Sequence, residues 1–139
     1  MSERLAGLEP EEIVRLSVIE VLNRGNIDHI EEFYHDDATF CGPGGETGSL
    51  ADLKDTVQTF HTAFSPLETH VRDVIADGDS VACYYTGRGV HTGALGDVPP
   101  TGEEMEASGI GVVVIDDGRI SHLDLTYDRL GMFQQLGIV

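Results

Sequence analysis

The first half of the chain contains three segments in which apolar residues recur every three or four positions, the spacing of a helix that buries one side. The first segment opens at Pro10, because proline is tolerated in the first turn of a helix, and closes before Gly25. Asn26 or Asp28 provides a cap for the second segment, and Ser49 provides one for the third. The pattern predicts helices over residues 10–25, 27–37 and 50–64, a short strand over 38–41 and a turn-rich loop over 42–48.

After Pro66, apolar and polar residues alternate as they do in strands. The turn sequences DGDS and DDG divide this stretch, and the glycines of its second segment indicate bends or bulges. Helices followed by antiparallel strands are typical of an α+β protein with its helices on one face of a curved, mostly antiparallel sheet. We expect one domain over residues 1–139, with strands over 69–76, 80–93, 103–115 and 119–128 and a last short helix over 128–138.

One predicted strand raises a question of orientation. Ser121–Asp128 reads SHLDLTYD, so His122, Asp124 and Asp128 fall on one side and the leucines and the tyrosine on the other. If the leucine face is the core, the acidic face is solvated surface. If the acidic face lines a cavity, its residues are the candidates for chemistry.

The charge balance is strongly acidic, with 25 acidic residues against 8 basic ones and a formal net charge of -17. A field of this sign repels nucleic acid and anionic membrane surfaces, so we expect neither as a partner. The acidic residues are spread through the whole chain, and Lys54 is its one lysine. This composition resembles the proteins of halophiles that accumulate salt, in which high salt screens self-repulsion.

The cysteines and the hydropathy predict a cytoplasmic protein. Cys41 and Cys83 form neither a disulfide framework nor a zinc motif, so buried free thiols are the default interpretation. No apolar run approaches the roughly 20 residues of a membrane span, and the polar, acidic start of the sequence is unlike a signal peptide.

Several short motifs, in uninterrupted order, resemble the SnoaL-like polyketide cyclase or ester cyclase family of the NTF2-like superfamily. They are FHTAF at 60–64, GVHTG at 89–93, PPTG at 99–102, and an aspartate seven residues before QLG at 135–137. The resemblance implies a cone-shaped fold with a pocket. It also implies that any chemistry in this pocket proceeds without a cofactor or a metal ion. Family members usually carry the pattern E-x-W-x-x-x-D on the last strand, and the matching residues here are His122, Asp124 and Asp128.

The resemblance also implies an answer to the orientation question. In the family this pattern points into the cone, so His122, Asp124 and Asp128 are expected to line the pocket. The opposite, apolar side of the strand would then lie on the convex face, where its exposure to water is costly. That arrangement predicts a homodimer or a higher homo-oligomer through the convex face, formed by Leu123, Leu125 and Tyr127.

By the same resemblance, Asp128 is the candidate acid/base residue, assisted by His122 and Asp124. A carboxylate in a dry pocket gains basicity through desolvation. The alternative is that Asp128 only caps the last helix. Two further alternatives are a metal site formed by His91, His122 and Asp124 and a nucleophilic role for Cys41.

A second set of residues is expected to contact a substrate. His91 is either a pocket hydrogen-bond donor or a structural histidine that holds the loop before PPTG, and His61 lies either at the pocket mouth or on the helix surface. The aromatic candidates are core residues in the alternative interpretation. The substrate-binding candidates are His91, His61, Tyr34, Phe40, Phe64 and Tyr85.

These features predict a protein that binds a small apolar molecule, with two interpretations of its function. One is a cofactor-free acid/base enzyme, an aldol-type cyclase, isomerase or hydrolase, that acts on an apolar carbonyl compound. The other is a non-catalytic module for ligand binding or dimerisation. The apolar sequence GIGVVVI at 109–115 lacks the polar residues expected of an aldol cyclase on that strand.

Overall fold

The computed structural model describes residues 5–139, which form four α-helices and a mixed sheet of six strands. No helix in this range is long and apolar enough to cross a membrane. A π-helical segment, Val18–Asn23, continues the first helix, and a 3-10 turn, Ile27–His29, precedes the second. The elements are α1 (Pro10–Ser17), α2 (Ile30–Phe33), β1 (Tyr34–Cys41), β2 (Thr47–Ser49), α3 (Leu50–Ala63), β3 (Phe64–Asp77), β4 (Ser80–His91), β5 (Glu104–Asp116), β6 (Arg119–Tyr127) and α4 (Arg129–Gln135).

The sheet has the strand order β2-β1-β6-β5-β4-β3, and its last four strands form an antiparallel meander. A two-residue turn joins β5 to β6, with positive φ at Asp117 (48°) and Gly118 (78°), as a tight hairpin requires. β1 runs parallel to β6, and β2, α3 and the first three strands of the meander lie between the two in sequence, as a parallel pair requires a long connection. The expected α+β class and the mostly antiparallel sheet are therefore confirmed.

The helices cover one face of the sheet. α1 packs against β3 and β4, α3 against β1 and β3, and α4 against β5. Side chains of β5 alternate strictly between buried and exposed, so its odd-numbered residues face the helices and its even-numbered residues face outwards. The core accordingly contains Val113 and Ile115 of β5 together with apolar residues of α1, α3 and β6.

The second helix is shorter than its sequence pattern predicts. It ends at Phe33, and the next residues form β1, in which Tyr34, Ala38 and Phe40 are buried. The residues around them alternate in burial and pair with β6, so tertiary strand pairing outweighs a marginal helical pattern. The predicted loop over 42–48 also contains the start of β2, which pairs with β1.

The third helix agrees closely with the prediction. It begins after Ser49, whose backbone N–H donates to Asp52 Oδ2 at 2.7 Å in a capping box. It ends at Ala63, and β3 follows directly from Phe64, five residues earlier than the predicted strand. Both ends of α3 lie against the sheet, and this placement positions its apolar side over the inner face.

Candidate functional site

The expected orientation of β6 is wrong. Leu123 is buried in the core and Leu125 packs against it, whereas the side chains of His122 and Asp124 are 36% and 59% exposed. The cause is a bulge: Ile115 pairs with Ile120 and Val114 with His122, so Ser121 is an extra residue. One extra residue reverses the faces beyond it.

The inward face of the sheet and α3 enclose an apolar cavity of about 90 Å³. Its walls include Val57 and Phe60 of α3, Met105 of β5, Leu125 of β6 and Met132 of α4. This volume lies below the roughly 300 Å³ at the lower end of ordinary small-molecule sites. The cavity therefore accepts a small ligand as it stands.

Phe60 of the cavity wall packs against two other aromatic rings. Its ring makes an edge contact with Tyr127, with centroids 5.7 Å apart, and stacks on Phe64 at 6.2 Å. Aromatic pairs of this kind are weakly stabilising, on the order of 1 kcal/mol each.

Two tyrosines stand among the largely apolar residues of the cavity lining. Tyr85 and Tyr127 both line it. Burial raises the pKa of Tyr85 above its ordinary value, and burial likewise raises the pKa of Tyr127, although Arg129 opposes that rise. Both phenols are therefore protonated at neutral pH and can donate hydrogen bonds to an oxygen atom of a ligand.

His61 is the third titratable residue of the lining. Its Nε2 donates to the backbone carbonyl of Leu22 at 2.7 Å. Its ring lies against Gly25, where a Cβ atom would come within 3.1 Å of three ring atoms. Two of the predicted substrate contacts, His61 and Tyr85, thus lie on the cavity.

The other predicted contacts do not line the cavity. Tyr34 and Phe40 belong to the main core, and Phe64 belongs to a second cluster with Met105 and Met132. These three side chains are buried core residues, as the alternative interpretation of the aromatic candidates predicts.

His91 also has a structural environment. Its ring is fully buried, and its Nδ1 accepts from the backbone N–H of Thr101 at 3.2 Å and lies 3.0 Å from the Thr101 hydroxyl. It therefore holds the PPTG loop against the end of β4. His91 belongs to the inward face and His122 to the outward face, so the two cannot share the metal ion considered above.

Asp128 lies outside the cavity and caps α4. It is exposed, and its Oδ1 accepts from the backbone N–H of Gly131 at 2.9 Å. Among the residues that the structure describes, no aspartate or glutamate lines the cavity. Of the two roles considered for Asp128, the structure thus shows a contact for the helix cap and none with the cavity.

His122 and Asp124 form a polar chain on the outer face. Thr39 Oγ1 donates to His122 Nδ1 at 2.5 Å, and His122 Nε2 donates to Asp124 Oδ2 at 3.1 Å. Burial raises the pKa of the neighbouring Cys41 thiol, and the Asp124 carboxylate raises it further. This environment disfavours the thiolate, so it counts against Cys41 as a nucleophile.

One group with metal-ligand chemistry lies elsewhere on the described surface. The ligand atoms of Glu20, His29 and Glu32 all fall within 4.8 Å of one another, and Glu20 Oε2 lies 3.3 Å from His29 Nδ1. None of the three residues lines the cavity.

Sequence reasoning missed Tyr127, Phe60 and Met105 as cavity residues. Tyr127 shares its face of β6 with Leu125, so the alternation in SHLDLTYD already grouped it correctly with the leucines. The missing information was the direction of that face, which the bulge at Ser121 sets.

The chain is a member of the SnoaL-like polyketide cyclase family, whose profile matches residues 12–136. No curated protein matches it. Among solved structures it is similar to IdmH, a candidate polyketide cyclase from Streptomyces antibioticus, at 26% identity and a TM-score of 0.82, over 94% of this chain and 99% of that one.

Two further structures share the fold. A candidate polyketide cyclase from Acidithiobacillus ferrooxidans is 27% identical, with a TM-score of 0.79 over 99% of this chain and 98% of that one. AclR, a candidate hydroxylase from Streptomyces galilaeus, is 21% identical, with a TM-score of 0.82 over 93% of this chain and 85% of that one. These likenesses agree with the expected NTF2-like fold.

Proposed function

We propose that the protein binds a small, largely apolar carbonyl compound in its cavity and catalyses a cofactor-free proton transfer on it, as an aldol-type cyclase or an isomerase does. The observation that carries this proposal is an apolar cavity supplied with two protonated tyrosines and one histidine. Apolar walls with a few convergent polar groups are the usual form of a small-molecule site. Membership of a family of polyketide cyclases supports the same class of substrate.

Tyr85 is the residue proposed to recognise the carbonyl oxygen. Its side chain lines the cavity, and burial raises its pKa, so the hydroxyl keeps its proton. A ligand oxygen in the cavity would accept a hydrogen bond from that hydroxyl. As negative charge develops on that oxygen during proton abstraction, the hydrogen bond from Tyr85 would strengthen.

A matched pair of variants tests this proposal. Tyr84 is the neighbour of Tyr85 on β4, but it points outwards and is 44% exposed. We expect Tyr85→Phe to weaken the binding of cyclopentanone, monitored by NMR shifts of the Met105 methyl group, while Tyr84→Phe leaves binding unchanged. Equal affinities in both variants, or no shift of Met105 in the wild type, would contradict the proposal.

The outer sheet face supports a second candidate function, self-association. Large apolar side chains cluster there although they are between 38% and 65% exposed. An apolar patch of this kind on a soluble chain marks an interaction surface. The patch consists of Ile75 of β3, Tyr84 of β4, and Ile110, Val112 and Val114 of β5.

We propose a second copy of the chain as the occupant of this face, because the flanking charges are complementary under two-fold symmetry. Arg72 of β3 lies on one side of the patch, where its Nε donates to Thr86 Oγ1 at 3.0 Å, and Asp124 of β6 lies on the other. A two-fold axis parallel to the strands, between β4 and β5, places β3 of one copy over β6 of the other. The register places Arg72 level with Thr126 and Asp124 about two residues further along, so the long Arg72 side chain would extend along the strand to meet an Asp124 of the partner copy.

Self-association is tested with two lysine variants that change the net charge equally. Ile110→Lys places a cation close to its symmetry mate near the two-fold axis, and we expect a monomer by light scattering. Leu130→Lys alters an exposed residue of α4, away from the patch, and should remain dimeric. A monomeric wild type at high protein concentration, or identical masses for both variants, would refute the dimer.

A further inference from the structure

The π-helical segment leaves one backbone carbonyl available to a side chain. In a continuous α-helix, Leu22 would accept from the N–H of Asn26, four residues later. Here the N–H of Asn26 donates to Glu20 at 3.0 Å, and that of Gly25 donates to Val21 at 3.1 Å. The Leu22 carbonyl instead accepts from His61 Nε2.

This hydrogen bond fixes the protonation pattern of the His61 ring. A carbonyl oxygen can only accept, so Nε2 must carry the proton. In the neutral ring Nδ1 then holds a lone pair, and no described residue donates a hydrogen bond to it. Nδ1 is thus the basic atom of the only imidazole among the described lining residues.

Two features of the helix end hold the ring. Gly25 has φ +69°, which favours glycine, and the absence of a Cβ there lets the imidazole lie against the backbone. The carbonyl that contacts Nε2 belongs to the C-terminal end of the helix formed by α1 and the π-helical segment.

We propose that Nδ1 of His61 is the proton acceptor of the cavity, positioned by the Leu22 carbonyl that the π-helical segment frees. This inference rests on the proposed function. In the step, a C–H bond next to the ligand carbonyl breaks, and its proton forms an N–H bond at Nδ1. The electron pair forms an enolate whose oxygen accepts from Tyr85, and His61 later returns the proton to carbon or to that oxygen.

The first test reads the ring directly in the ligand-free protein. Long-range nitrogen–proton NMR should show Nε2 of His61 protonated and Nδ1 unprotonated. A ring protonated at Nδ1 would overturn the inference and leave ligand binding in the cavity untouched.

The second test separates binding from proton transfer. Glutamine at position 61 places an amide nitrogen near the site of Nε2, so His61→Gln keeps a donor for Leu22 and removes the base. With cyclopentanone in D₂O, we expect the exchange of its α-protons to fall at least about 100-fold, the usual size of a general-base effect, while the Met105 shifts persist. Unchanged exchange with binding intact would overturn the role of His61. Absence of Met105 shifts in the wild type would count against the proposed function instead.

A third variant tests the positioning by Gly25. Gly25→Ala introduces a Cβ against the imidazole, and we expect slower exchange together with altered nitrogen shifts of His61. Gly137→Ala is the control, because its φ of +76° carries a similar backbone cost but its Cβ would meet nothing within 4 Å. Equal exchange rates in the two variants would refute the positioning role.

Discussion

Replacement of Asp128 distinguishes a helix cap from a catalytic base. In the structure, Asp128 is exposed, its Oδ1 accepts from the N–H of Gly131 at 2.9 Å, and its carbonyl accepts from Met132 at 3.0 Å. Only the first contact is lost in Asp128→Ala, because the second involves the backbone. Met132 of the helix that this cap begins and Leu136, which follows that helix, are each 2% exposed, so fraying of α4 would disturb the second core cluster.

The expected magnitude follows from that single lost hydrogen bond. Loss of an aspartate cap costs about 1 kcal/mol, and the loss of its charge at the helix N-terminus falls within the same figure. For a chain of this length, about 1 kcal/mol corresponds to a decrease in Tm of roughly 4 °C. Asparagine caps about as well as aspartate, so Asp128→Asn should retain the wild-type Tm within about 1 °C.

The assay combines thermal unfolding by circular dichroism with α-proton exchange of cyclopentanone in the same variants. We expect Asp128→Ala to unfold earlier and Asp128→Asn to unfold with the wild type, with exchange unchanged in Asp128→Asn. If Asp128→Asn keeps its Tm but loses exchange, Asp128 is the base, and the argument from the lining of the cavity is wrong.

Three further predictions concern the cavity and the charge of the chain. Ala107→Leu fills the cavity that Ala107 lines, so it should abolish the thermal stabilisation by cyclopentanone. The control Ser108→Leu changes an outward-facing residue and should retain the stabilisation. Equal stabilisation of the two variants would contradict the location of the ligand. Burial raises the pKa of Tyr85, so above about pH 10 the folded state retains a proton that the unfolded chain loses. The contribution of Tyr85 to the free energy of unfolding should therefore be constant below about pH 10 and decrease as the pH rises further. Urea unfolding should show this decrease, and it should be smaller in Tyr85→Phe. With a net charge of -17, the wild type should show a higher urea midpoint in about 1 M KCl than at low salt, and a midpoint independent of salt would remove the basis for the halophilic interpretation.

The helices and strands were largely predictable because their signals are local. The capping box at Ser49 and the apolar spacing that follows it define α3 without any tertiary information. The sequence predicts that the second helix continues through Tyr34–Asp37, because Tyr34 extends the apolar side of that helix. In the fold this segment is the start of β1, and β1 pairs with β6, a strand distant in sequence. Long-range pairing leaves no mark within a short window of sequence.

The cavity was predictable only in part. The sequence identifies His61 and Tyr85 as candidates, and both line the cavity. The predicted orientation of β6 is the opposite of the one in the structure. Alternation gives the spacing of two faces but not which one is buried. Counted from the buried Ile120, strict alternation places His122 and Asp124 inside; the extra residue Ser121 turns them outwards.

The surroundings of β6 explain why the bulge is stable. Gly111 lies opposite Leu125 on β5, and a Cβ atom at Gly111 would come within 3.3 Å of Leu123 and 3.9 Å of Leu125. The glycine therefore makes room for both leucines on the inward face, where their burial is favourable. With strict alternation, two ionisable side chains would occupy that apolar space without partners, which is far more costly. The same packing that places Leu125 in the cavity wall thus excludes Asp124 from it, so the proposed proton transfer would fall to His61.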